Sequence, residues 1–112
     1  MTFDPNLEEA ADRIVDELDT AMSELTTLRE EMSSTRADAE RTYRTALLEA
    51  RALGHTSREE RDAHAVLQAI DQRAAADLAE MAYRDKNTYV RVLQSQLELI
   101  RTRMATNRAL RV

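Results

Sequence analysis

The only imidazoles in the chain, His55 and His64, stand nine residues apart with Glu59 and Glu60 between them, and these four side chains are its nearest approach to a metal-ligand set. Helical metal sites space their donors by about one turn, as in Glu-x-x-His, so that the donors share a face. The two histidines are not spaced that way, and a site built from all four groups requires the turn to fold in on itself. Solvated residues are expected here, with no metal and no cofactor. There is no cysteine, which removes thiolate ligands and disulfides, and a single glycine excludes the Gly-rich loops that cradle phosphate. No Ser-His-Asp or Cys-His set can be composed, so the chain reads as a protein without catalytic residues. Of the carboxylates, only Asp77 and Asp85 fall on the apolar stripe. Asp77, between Ala74 and Met81, is a candidate register residue pairing with Arg73 or Arg84; a solvent-facing placement is the alternative.

Two charged regions bear on binding. Arg101, Arg103, Arg108 and Arg111 form a basic carboxy-terminal stretch that is a candidate nucleic-acid contact. Residues 1–31 carry ten acidic groups against Arg13 and Arg29, a run that can mimic a phosphate backbone. With a net charge of −5 over the whole chain, uncompensated positive charge is scarce. Nucleic-acid binding is therefore the weaker of two binding readings, behind a protein partner.

The elements that must carry these groups are helices. From Leu7 the apolar positions Ala11, Ile14, Leu18, Ala21, Leu25, Leu28 and Met32 alternate steps of four and three, which is a heptad seam. Residues 33–38 offer that seam only alanine. The pattern resumes at Ala39 with its phase slipped by about one residue, as a stutter inside one continuous helix produces; a bend or break at 33–38 is the alternative. Gly54 suits a helix C-terminal cap, and Ser57 followed by Glu60 matches the S-x-x-E box that starts a new helix. The second segment repeats Leu67, Leu78, Tyr89 and Ile100 at eleven residues, as it does Ala82, Leu93 and Met104. Met22, Met32, Met81 and Met104 at helical spacing read as core packing. No alternating β-branched run is present.

The expected fold is therefore all-α: a long antiparallel helical hairpin, coiled-coil-like, in a single domain over residues 1–112. Helix one is expected at about 5–53, a turn at 54–57, and helix two at about 58–108. The hairpin sets the acidic half of the first helix beside the basic half of the second, where Lys86, Arg91 and the terminal arginines face only Glu98. The expected oligomer or partner seam comprises Leu18, Leu25, Leu28, Met32, Leu67, Leu78, Tyr89, Leu93, Ile100 and Met104. Val15, Met22, Val66, Met81, Val92 and Leu99 widen the stripe beyond what two helices can bury. That excess predicts a homodimer closing into a four-helix bundle. No apolar run approaches the roughly 20 residues of a membrane span, and the amino terminus lacks a signal-peptide plan, so no membrane association and a cytoplasmic location are expected.

Beyond about Asp38 the residues Ala39-Glu40-Arg41-Thr42-Tyr43, Leu47 and Ala50-Arg51, then Gly54-His55-Thr56-Ser57 and Arg58-Glu59-Glu60-Arg61-Asp62, form one recognisable pattern. Ala79 to Tyr83-Arg84, Leu93-Gln94-Ser95-Gln96-Leu97 and Ile100-Arg101-Thr102 continue it. Over residues 38–108 the chain resembles small helical proteins encoded by tailed phages and prophages of Gram-positive bacteria. The resemblance implies a phage origin, a helical hairpin and residence in the host cytoplasm, and it carries no catalytic residue. The expected function is a non-catalytic interaction protein that binds and modulates a host or phage protein, in counter-defence or as an accessory to DNA metabolism. A nucleic-acid-binding accessory using the terminal arginines, and a structural or scaffold-like rod, are the alternatives.

Overall fold

The computed structural model describes residues 5–110 as three helices, α1 (Pro5–Ala52), α2 (Arg58–Gln68) and α3 (Ile70–Leu110), with no strand among the described residues. The fold is an all-α antiparallel hairpin. By compactness the chain divides into two units. Unit 1 takes residues 1–26 and 84–112, and unit 2 takes residues 27–83.

Helix α1 passes through residues 33–38 without interruption. Thr35 occupies the seam there, half-buried, and its hydroxyl donates to the carbonyls of Glu31 at 2.9 Å and Met32 at 3.1 Å. By spending its donor on its own helix, a threonine can hold an apolar position without leaving a polar group unsatisfied. The helix ends where the sequence places its one glycine. Gly54 has φ +89°, its N–H reaches Arg51 O at 3.1 Å, and the His55 N–H reaches Ala50 O at 3.0 Å. These two bonds are the Schellman pair that satisfies the last carbonyls of a helix. Ser57 then caps α2, its Oγ accepting from the Glu60 N–H at 3.1 Å.

The expected single second helix is instead two, separated by Ala69. With φ −98° and ψ 5°, Ala69 lies outside the helical region, although its N–H still bonds to Ala65 O and its carbonyl still accepts from Arg73 N. No glycine or proline marks this interruption.

In unit 1, α1 and α3 run antiparallel. Tyr89 OH donates to Glu17 Oε2 at 3.3 Å, and Lys86 pairs with Glu24. The unit buries Leu18, Ala21 and Leu25 from α1 and Val90, Leu93 and Leu97 from α3, with Leu7, Ile14, Ile100 and Met104 half-buried. Each fully buried leucine or valine contributes about 1.5–3 kcal/mol, which makes this a thin but conventional seam.

Unit 2 is organised differently. Its antiparallel pairing is marked by Arg36–Glu80 at 3.6 Å, by Arg29 lying 5.7 Å from the Tyr83 ring, and by Arg73 at 4.6 Å over the Tyr43 ring. Its buried residues are Ala39, Ala46, Ala50, Ala65, Ala69 and Ala79, all alanine. Leu28, Met32, Leu47 and Val66 are half-buried. Meanwhile Leu48, Leu53, Leu67, Ile70, Leu78 and Met81 point outward.

Candidate interaction surfaces

Of the residues expected in an oligomer or partner seam, Leu18 and Leu25 on α1 are buried within the hairpin, and Leu28 and Met32 are half-buried. On the other side of the hairpin, Leu93 is buried and Ile100 and Met104 are half-buried. Leu67, Leu78 and Tyr89 lie outside the hairpin's own line of contact. Leu67 is 68% exposed, Leu78 66% and Tyr89 42%. The line of contact on α3 instead follows Gln72, Ala76, Ala79, Tyr83, Lys86, Val90, Leu93, Leu97, Ile100 and Met104, all buried or half-buried, in steps of three and four.

The reason is geometric. Within α3 an eleven-residue repeat and a 3.5-residue seam advance around the helix at different rates, so the two patterns share Leu93, Ile100 and Met104 and differ at Leu78 and Tyr89. Met22 and Met81 are likewise exposed rather than core, as are Val15, Val92 and Leu99. Small and amphipathic residues, including the stem of Lys86, take the places the leucines were expected to hold.

The outward residues of unit 2 follow their own rule. Leu67, Ile70, Ala74, Leu78 and Met81 recur at steps of three, four, four and three, and all five are exposed. The spacing alone could have revealed this second stripe. Arg73 and Asp77, both exposed, flank it one turn apart.

Near the turn, unit 2 has an open groove of about 800 Å³ lined by Tyr43, Leu47, Leu48, Arg51, Arg58, Glu59, Arg61 and Asp62. Tyr43 OH donates to Asp62 Oδ1. That hydrogen bond is the main reason its hydroxyl is held above the ordinary phenol value, with burial and the Asp62 charge adding to it and Arg73 and Arg58 opposing. Tyr89 in unit 1 is also raised, chiefly by burial and then by Glu17.

The turn does bring the two histidines together, with ring centroids 5.4 Å apart and His55 Nδ1 4.0 Å from Glu60. Among the described residues no group of three or more His, Cys, Asp or Glu side chains is placed to hold a metal ion. His64 Nε2 and Gln72 Oε1 are buried without a hydrogen-bond partner.

Of the carboxy-terminal arginines, Arg101, Arg103 and Arg108 are exposed on α3, and Arg111 lies outside the described residues. Arg101 lines a shallow groove with Gln94, Leu97, Glu98, Thr102 and Ala105, and Arg103 lines another with Leu7, Thr102, Thr106 and Asn107. Asp77 and Asp85 are both exposed, so Asp77 is not a buried register device within the hairpin. Among the described residues no helix is long and apolar enough to cross a membrane. In comparisons with known proteins, the chain matches no family model, no curated protein and no solved structure.

Proposed function

We propose that this is a non-catalytic helical interaction protein, phage-encoded and working in the host cytoplasm, which self-associates and modulates a host or phage protein through outward apolar faces of its helices. One observation carries this reading. In both units large apolar side chains point to solvent, and in unit 2 alanine alone fills the buried positions; in unit 1 the outward set includes Val15, Met22, Val92 and Leu99. Single exposed apolar residues are ordinary on protein surfaces, but runs at helical spacing are the form in which one helix offers a face to another.

Affinity capture from nuclease-treated host lysate, with wild type and a Val92→Asp/Leu99→Asp variant, tests the reading. A stoichiometric protein is expected to remain bound at high salt and to be lost with the variant. Binding to duplex DNA that collapses between about 50 and 200 mM salt, and that disappears on replacing Arg101, Arg103 and Arg108 by alanine, would refute it in favour of a nucleic-acid accessory.

A further inference from the structure

We propose that the outward face of α2 and α3 in unit 2 binds a second copy of this chain, antiparallel, about a two-fold axis passing at Ala74. This rests on reading the outward apolar faces as binding surfaces and names the occupant of one of them.

The first argument is self-complementarity. The stripe Leu67, Ile70, Ala74, Leu78, Met81 is a palindrome in spacing and in size, with Ala74 at its centre. A two-fold axis there sets Leu67 against Met81 of the second copy, Ile70 against Leu78, and Ala74 against itself. Large side chains meet large ones away from the axis, and the smallest lies where the helices approach most closely. An antiparallel isologous pair sets residue i against j and j against i, and a stripe that reads alike in both directions fits it with no change of register, whereas a heterologous partner gives no reason for it.

Charge supplies the second argument. Arg73 and Asp77 lie on one flank of the stripe, on opposite sides of Ala74. In an antiparallel pair like flanks face each other, so Arg73 of each copy comes within reach of Asp77 of the other, and the two-fold makes two such pairs. Asp71 is on the opposite flank, where symmetry sets it near Ala75. A parallel, in-register pair would instead set unlike flanks together, with Arg73 of each copy beside Asp71 of the other and Asp77 beside alanine, so the palindrome selects the antiparallel direction and an exchange of Arg73 with Asp77 tells the two apart. Stacking over Tyr43, with 4.6 Å from the guanidinium carbon to the ring centroid, holds Arg73 in place before association.

Area supplies the third. Leu67, Ile70, Leu78 and Met81 are each more than half exposed. Together they offer on the order of 400–500 Å² of apolar surface per copy, which with a polar rim reaches the roughly 1,000 Å² total of a specific interface. The contact is near the lower limit of size, so dissociation on the order of 10 μM is expected.

Sedimentation of the full chain up to about 200 μM tests the proposal. The mass is expected to rise from 12.8 kDa to twice that value. Leu78→Asp should return it to monomer with helicity unchanged, because the site is solvent-exposed in a single chain. Arg73→Asp and Asp77→Arg should each weaken association about tenfold, and the double exchange should restore most of it. Three results would overturn the proposal: a chain monomeric at 200 μM whether or not it captures a host protein, a dimer indifferent to Leu78→Asp, or a double exchange as weak as the single ones. A dimer dissociated by Leu78→Asp supports it even if lysate yields no partner, an outcome that removes only the wider partner-binding reading.

Discussion

Leu93 and Leu99 lie six residues apart on α3 in unit 1, and the same substitution at each should have very different consequences. Leu93 is 3% exposed and Leu99 is 57% exposed. Truncating a buried leucine to alanine costs about 2–5 kcal/mol, the range reflecting how well the site closes over the gap. A two-helix seam has few neighbours to hold a cavity open, so about 2–3 kcal/mol is expected for Leu93→Ala. At Leu99 more than half the side chain is already in water, and the lost burial is worth about 1 kcal/mol or less. Urea titrations followed by far-UV circular dichroism at a few micromolar protein should show this directly. With a slope of about 1–2 kcal/mol per molar, the midpoint should fall by more than 1 M for Leu93→Ala and by well under 1 M for Leu99→Ala. Equal shifts, or a larger one at Leu99, would refute the assignment of the seam.

Three further outcomes follow from the geometry. Ala50→Leu inserts a large side chain where exposure is 0%, and should cost about 1–3 kcal/mol in thermal unfolding. Gly54→Ala meets no atom within 4 Å, so its whole cost comes from φ +89°, about 1–2 kcal/mol by chemical denaturation. Tyr43 has its hydroxyl raised in the fold, so the folded state keeps its proton after the unfolded state has begun to lose it. The stability this contributes is complete below pH 10 and is lost as pH rises from there through the raised value. Melting curves between about pH 9 and 11 should therefore fall less steeply for Tyr43→Phe than for wild type, with Tyr89 accounting for part of the remaining slope.

The first helix was legible because its apolar residues do what their spacing implies. Steps of four and three from Leu7 to Met32 trace the seam, and Gly54 with Ser57 marks the turn through requirements that few other residues meet. The second half is harder to read for a physical reason. A hairpin seam can be filled with methyl groups and aliphatic stems, as Ala76, Ala79 and Lys86 show, leaving the most hydrophobic line, Leu67, Leu78 and Tyr89, free to face outward. Hydrophobicity identifies surfaces that will be covered, and does not by itself separate a chain's own seam from a face that awaits another molecule. Ala69 was illegible altogether, since alanine is the strongest helix former and gives no cue for a residue outside the helical region.

The all-alanine interior of unit 2 also bears on how the two arms find their alignment. Fully buried methyl groups offer little shape for one arm to read on the other, and the half-buried Leu28, Met32, Leu47 and Val66 carry most of what the interior contributes to alignment. Further discrimination between alignments comes from the closed end. There the Schellman bonds of Gly54 and His55 and the Ser57 cap fix how many residues separate the arms, and so which residue faces which. The turn is the ruler of this unit, and its length sets the alignment that the methyl groups alone would choose only weakly.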